Sequence, residues 1–276
     1  MTLRDDLLNY MARHGRDAIA LERPEVVIIG ELHGRLRSDV AAVRTTATVR
    51  LVRELLTDPR FRYFGNEHFQ NAGPVRHAVR DYWVRAALLP RFDNTAPGAD
   101  AIDAQVVGRQ VTPRRFQPVL DDLRAWPRYV LSIGSRMDGD VRDRRLAQHF
   151  FEEVSDRGIA RHAPGLLLLG AAHAAATPFS MGQTTTRMIL ERSGYRCTSI
   201  RVITDFAGGS SPDDSVLPLA SGTPPAIPLG NLTLRSPISF STRASRDSPF
   251  FRVRDRFSDS GQSIAEQFEF MVLQRG

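Results

Sequence analysis

The 276-residue sequence predicts an α/β fold, a mostly parallel central sheet flanked by helices, with a C-terminal loop-and-strand extension. Three observations predict it. Short apolar runs, above all "EVVIIG" (25–30) and "GLLLLG" (165–170), read as strands covered on both faces. Between such runs lie longer stretches whose apolar residues recur every three or four positions, the period of an amphipathic helix. After Asp205 the texture turns to Gly, Pro and Ser, which sets the last part of the chain apart.

Taken in order, the opening segment to about Ala20 reads as a helix, with Leu7, Leu8, Met11 and Ile19 among its apolar positions. "EVVIIG" is the first strand. Ser38 and Asp39 then offer caps for a helix whose stripe runs through Val40, Val43, Ala47, Leu51 and Leu55. "FRYFGNEHF" (61–69) reads as a second strand, and "PVRHAVRDYWVRAALL" (74–89) as a helix that opens on proline. Residues 90–116 are weakly patterned and read as a loop or lid. "RYVLSIG" (128–134) is a strand and "GDVRDRRLAQHFFEEVSDRG" (139–158) a helix closed by Gly158. "GLLLLG", a helix around 181–193 and a strand over 195–204 complete the alternation. "AGGSSPDDSVLPLASGTPPAIPLGN" reads as an extended loop, followed by strand-like "LTLRSPISF" and "EFMVLQRG". Residues 1–205 are therefore expected to form an α/β core domain with a polar cleft, and 206–276 an extension of the same domain.

Composition narrows the chemistry. The chain has no lysine, so all 37 basic residues are arginine, which explains a pI near 10.3 at a net charge of only +6. A Schiff-base lysine, a pyridoxal-phosphate anchor and a phosphate-loop lysine are all excluded. Acids are interspersed among the arginines and no long basic run occurs, so nucleic acid is not an expected partner. The single cysteine, Cys197, can form neither an internal disulfide nor a cysteine-rich metal site, and reads as a buried inert thiol. The first residues do not read as a secretory signal, and no stretch approaches the roughly 20 apolar residues of a membrane helix. A cytoplasmic protein that does not bind membranes is the expectation.

Three apolar runs end alike. "VVIIG" leads to Glu31 and His33, "FRYFGN" to Glu67 and His68, and "LLLLG" through two alanines to His173. If the strands are parallel, their carboxyl ends share the edge at which open α/β sheets bind ligands. The helix after "RYVLSIG" begins at that same edge. Its Arg142 precedes Leu146 and Phe150 by four and eight positions and so points inward, whereas Arg144 and Arg145 do not. Glu67 and His68 are adjacent on a strand and face opposite ways, and Glu67 is the better candidate.

Such a set suits polar bond cleavage: a carboxylate or imidazole takes a proton from water, and arginine steadies a developing oxyanion. Glu31, His33, Glu67 and His173 could equally hold a divalent metal, and the sequence does not choose. Each residue has a structural alternative, Glu31 as a helix cap, His33 as a bonded loop residue and Arg142 as an ion-pair partner. Their recurrence at three strand ends favours function. HExxH and GxSxG motifs are absent, which disfavours a serine hydrolase. His14, His77, His149 and His162 read as surface or packing residues.

At "GELHG" (30–34), "GNEHF" (65–69), "RDRRLA" (142–147) and "GAAHA" (170–174) the chain resembles the erythromycin esterase/ChaN-like and TIKI/TraB group of α/β proteins. The resemblance covers roughly residues 25–200 with the motifs in order. It implies an α/β fold with one polar cleft, carried here by Glu31, His33, Glu67, Arg142 and His173. Activities diverge across that group: lactone-opening esterases, metal-dependent peptidases and haem-binding lipoproteins. "GELHG" has one residue between Glu and His, nearer the ChaN-like form, yet no lipid-accepting cysteine lies near the start of the chain. The expected function is a hydrolase cleaving an ester, lactone or amide of a small-molecule or peptide substrate. A divalent ion is the candidate cofactor and haem the less favoured one. The alternatives are a non-catalytic haem or metal binder using the same cleft, and an acid–base enzyme of elimination or cyclisation.

Overall fold

The computed structural model of the chain describes residues 2–23, 25–31, 48, 51, 52, 54–56, 58–70, 129–134, 140–180, 182–205, 215–220, 226–229, 237–256, 258 and 260–275. His33, the caps Ser38 and Asp39, the helix expected over 74–89 and the segment 90–116 lie outside them.

The described strands are β1 (Val26–Glu31), β2 (Tyr63–Gln70), β3 (Tyr129–Gly134), β4 (Gly165–Gly170), β5 (Cys197–Asp205), β6 (Ser215–Pro218), β7 (Ile227–Pro228), β8 (Ile238–Ser241), β9 (Val253–Asp255) and β10 (Phe270–Arg275). The α-helices described from end to end are α1 (Leu3–His14), α2 (Asp140–Asp156), α3 (Ala171–Ala174), α4 (Thr186–Arg192) and α5 (Ile264–Gln267). Seven strands form the main sheet in the order β3-β2-β4-β1-β5-β10-β8, and three form a small sheet, β7-β6-β9. Every pairing in the main sheet is parallel except β10 with β8. The α/β fold with a mostly parallel sheet is thus as the sequence predicts.

Burial explains the continuous apolar runs. Val27, Ile29, Leu166 and Leu168 pack on one face with Val52, Leu55 and Leu56 of the helical segment before β2. Val26, Ile28, Leu167 and Leu169 pack on the other with Ala147, Phe150 and Val154 of α2 and Leu190 of α4. A strand covered on both sides needs apolar residues at every position.

Connection direction fixes which face each crossover covers. From β1 the chain moves toward β2 on one side of β4, and from β4 it moves past β1 toward β5. Crossovers of a single hand that run in opposite directions cover opposite faces. The crevice where they diverge lies at the carboxyl ends of β1 and β4, the switch point of the sheet.

Some boundaries differ from those the sequence predicts. α1 starts with a capping box between Thr2 and Asp5 but ends at His14 rather than near Ala20. The reason is tertiary: Arg16 exchanges two backbone hydrogen bonds with Ser239 at β8. Within the segment expected as loop, Ser215–Pro218 pairs with β9 and β7. α4 begins at Thr186, where the Thr185 hydroxyl caps the Met188 N–H. α2 stops as expected, with Gly158 at φ +59° just past its end. Among the described residues no helix is long and apolar enough to cross a membrane.

Candidate active site

β2, β4 and β1 lie side by side, and their carboxyl ends carry Glu67, Gly170 and Glu31. Gly170 is in register with Glu31 on one side. On its other side, the Gly170 N–H donates to Glu67 Oε2 at 2.9 Å. The Glu67 side chain has no exposed surface, and Arg142 Nη2 donates to its other oxygen at 3.2 Å. A bare carboxylate buried this deeply costs several kcal/mol, so a guanidinium and an amide on its two oxygens account for its being there.

Arg142 arrives as its phase on α2 requires. Leu146 and Phe150 are buried on the sheet side of the helix, while Arg144 and Arg145 are exposed. His149, two turns along, turns its Nδ1 to the carbonyls of Ile133 and Gly134 at 3.3 and 3.1 Å and ties α2 to the end of β3. The Arg142 side chain keeps 27 % of its surface exposed, so its guanidinium reaches the cleft from beside Glu67.

His173 is placed by a very short helix. β4 ends at Gly170 and the chain turns at once into α3, which lies on the end of β1. Gly30 makes room for it: a methyl there would sit 2.9 Å from Ala174 Cβ and 3.1 Å from Ala171 Cα. The Ser199 hydroxyl of β5 donates to the Ala174 carbonyl and holds the same turn down. His173 Nε2 then stands 3.9 Å from Glu67 Oε2, too far for a hydrogen bond, while Nδ1 lies 2.9 Å from Asp143 Oδ1.

Glu31 occupies the opposite wall. Its side chain follows Val27 and Ile29 in the alternation of β1, and the buried Thr48 hydroxyl donates to Glu31 Oε2 at 2.6 Å. Glu67, Arg142, Asp143 and His173 are gathered on the other side of the strand ends. Of the five expected residues, Glu67, Arg142 and His173 meet, Glu31 accepts from Thr48 on the other face of the sheet, and His33 is outside the described residues. Sequence reasoning missed Asp143, Thr186 and Thr48. Asp143 left one signal, an acid beside Arg142 in the first turn of a helix starting at the carboxyl edge.

Among the described residues, no three His, Cys, Asp or Glu side chains group so as to hold a metal ion. Both Glu67 oxygens accept from protein donors, and His173 Nδ1 faces Asp143, which leaves Nε2 as that ring's nitrogen on the cleft side. Cys197 takes no part: it is buried on the β5 side, and desolvation pushes its thiol up to about 12.

Fold and site together define an α/β protein with a carboxylate, an imidazole and a guanidinium at the switch point of a parallel sheet. No protein-family model matches the chain, and no curated protein matches it significantly. Among solved structures it is similar to a succinoglycan biosynthesis protein at 13% identity and a TM-score of 0.49, covering 100% of this chain and 97% of that one. It is also similar to a Bacillus cereus protein at 11% and 0.45, covering 99% and 97%. An erythromycin esterase variant in its open conformation is similar at 13% and 0.42, covering 92% and 91%. At these values the likeness carries no information on activity.

Proposed function

We propose that the protein is a hydrolase that cleaves an ester, lactone or amide of a small-molecule or peptide substrate with water activated by His173. One observation carries this: an imidazole held by a carboxylate at Nδ1 stands beside the buried Glu67 carboxylate and its partly exposed guanidinium partner, at the edge where parallel sheets place their ligands. His173 Nε2 takes the proton of the attacking water and returns it to the leaving group. Arg142, with surface still open to the cleft, stabilises the oxyanion of the tetrahedral intermediate. Glu67 fixes the guanidinium and ties β2 to the end of β4 rather than acting as the base, because both of its oxygens already accept from protein donors. Glu31 lines the opposite wall of the crevice and orients substrate or a second water. The expectation of a divalent ion at Glu31, His33, Glu67 and His173 is tested by metal content and by activity before and after chelation.

The test is His173→Ala on a panel of p-nitrophenyl esters, simple lactones and anilides. Asp143 keeps both Thr186 donors in the variant, so loss of stability stays at about 1 kcal/mol. Turnover is expected to fall by about 10²-fold or more. Wild-type turnover in the variant overturns the proposal. So does a haem absorption band on titration with haemin in a protein that turns over none of the panel.

A further inference from the structure

Asp143 spends a single oxygen on three groups. Its Oδ1 lies 2.5 Å from the Thr186 backbone nitrogen, 2.6 Å from the Thr186 hydroxyl and 2.9 Å from His173 Nδ1. The arrangement joins three separate elements, α2, α3 and the start of α4. Thr186 is fully buried, and the His173 and Asp143 side chains are only 16 % and 13 % exposed. Water is thus a weak competitor for these bonds.

The backbone amide settles where the protons are. An N–H can only donate, so the Asp143 oxygen facing it is an acceptor. The His173 nitrogen facing the same oxygen must then carry a proton. A neutral imidazole has one N–H, so its Nε2 is left as a bare lone pair on the cleft side, beside Glu67. We infer that Asp143 and Thr186 are positioning residues that hold His173 in its Nδ1–H tautomer and present Nε2 as the base, an inference that rests on the hydrolase proposal for its function but not for its geometry. Asp143 touches no reacting atom. It acts through the orientation and protonation of His173, as carboxylate partners of catalytic imidazoles do.

Because one oxygen takes all three donors, the amide and acid forms of residue 143 differ less than is usual for such dyads. In Asp143→Asn the amide oxygen can stay where Oδ1 is, under the Thr186 N–H and the imidazole N–H, with the NH2 group turned away. The tautomer is therefore kept while the charge is lost. In Asp143→Ala nothing holds the Nδ1 proton. Thr186→Val removes the hydroxyl donor and leaves the amide donor, so it changes the tautomer little.

The experiment reads the tautomer directly, by long-range 1H–15N correlation of histidine-labelled protein at a pH where His173 is neutral, assigned by the signals missing from His173→Ala. The Nδ1–H form is expected in wild type, Asp143→Asn and Thr186→Val, and a shift toward the commoner Nε2–H form in Asp143→Ala. With an ester that the wild type cleaves, kcat is expected to fall about tenfold in Asp143→Asn and about 10²-fold in Asp143→Ala, with KM nearly unchanged. An Nε2–H tautomer in wild type overturns the inference, as does an Nδ1–H tautomer that survives in Asp143→Ala. A correct tautomer pattern with no turnover by any form overturns the hydrolase proposal and leaves the positioning intact. Turnover lost in His173→Ala beside a wrong tautomer pattern does the reverse. Should Asp143→Ala fail to fold, a tautomer switched to Nε2–H in folded Asp143→Asn overturns the inference.

Discussion

Gly30→Ala is the most searching single change, because it adds one methyl at a point far in sequence from every group it disturbs. The methyl would lie 2.9 Å from Ala174 Cβ and 3.1 Å from Ala171 Cα. Carbon atoms rest at about 3.5–4.0 Å, so α3 must retreat by roughly half an ångström or more. Ala174 also packs beside the Ser199 hydroxyl bond and the buried Phe268, so the retreat has little room and costs about 1–3 kcal/mol. His173 lies between the two contacted alanines and travels with them. Its 2.9 Å bond to Asp143 then stretches toward the limit for a hydrogen bond. A misplacement of about 1 Å costs about 10²-fold in rate, so half of that is expected to cost about tenfold. The assay pairs urea unfolding with ester turnover and with the His173 nitrogen signals. A variant as stable and as active as the wild type, with His173 signals unmoved, refutes the seating of α3 on β1 and with it the explanation of the glycine in "GELHG".

Two further outcomes are expected. Arg201 and Asp255 form an ion pair whose side chains are 1 % and 3 % exposed, joining β5 to the small sheet, so Asp255→Ala leaves a buried guanidinium without its carboxylate. A loss of about 3–5 kcal/mol in urea unfolding is expected, and a loss under about 1 kcal/mol contradicts it. The folded Cys197 thiol is raised by burial from 9.0 to about 12, so stability is full below the unfolded thiol's range and falls as pH rises above 9. Cys197 contributes about 1.4 kcal/mol per pH unit to that fall, Cys197→Ala removes this share, most visibly below the ordinary tyrosine range where the buried Tyr63 hydroxyl does not yet contribute, and native protein at pH 9 resists alkylation that unfolded protein undergoes. Equal alkaline slopes for the two proteins contradict the assignment.

The strands were legible because burial on two faces leaves a sequence trace: "EVVIIG" and "GLLLLG" admit few other structures. Arg142 was legible for a related reason, since its spacing to Leu146 and Phe150 reports the inward face of α2. The end of α1 was not legible, because the competing partner of Arg16 is Ser239, more than two hundred residues away. Nor was the separation of Glu31 from Glu67. Sharing an edge follows from parallel strands, but sharing a face depends on the parity of each residue within its own strand. Of the Asp143–Thr186–His173 knot only His173, and faintly Asp143, left a trace in the sequence, since no local pattern marks three residues that meet across three helices.

The same long-range logic gives the end of the chain a part in the site. Thr186, which bonds Asp143, is followed by Arg187, a buried arginine whose two terminal nitrogens both bond Glu269 at 2.8 Å, just before β10. Burial works against the charge of Arg187, but Glu269 and Glu191 more than offset it and hold its pKa above the ordinary arginine value. Glu269 also accepts the Ser199 N–H on β5 and meets Arg243. α4 is thus clamped at successive residues, by Asp143 on the cleft side and by Glu269 on the β10 side. A chain cut before β8 and β10 loses the second clamp and two strands of the main sheet together. On this geometry the residues after 205 support His173 without touching it: α3 seats the imidazole, Asp143 orients it, Thr186 fixes Asp143, and the Arg187–Glu269 pair fixes the helix to which Thr186 belongs.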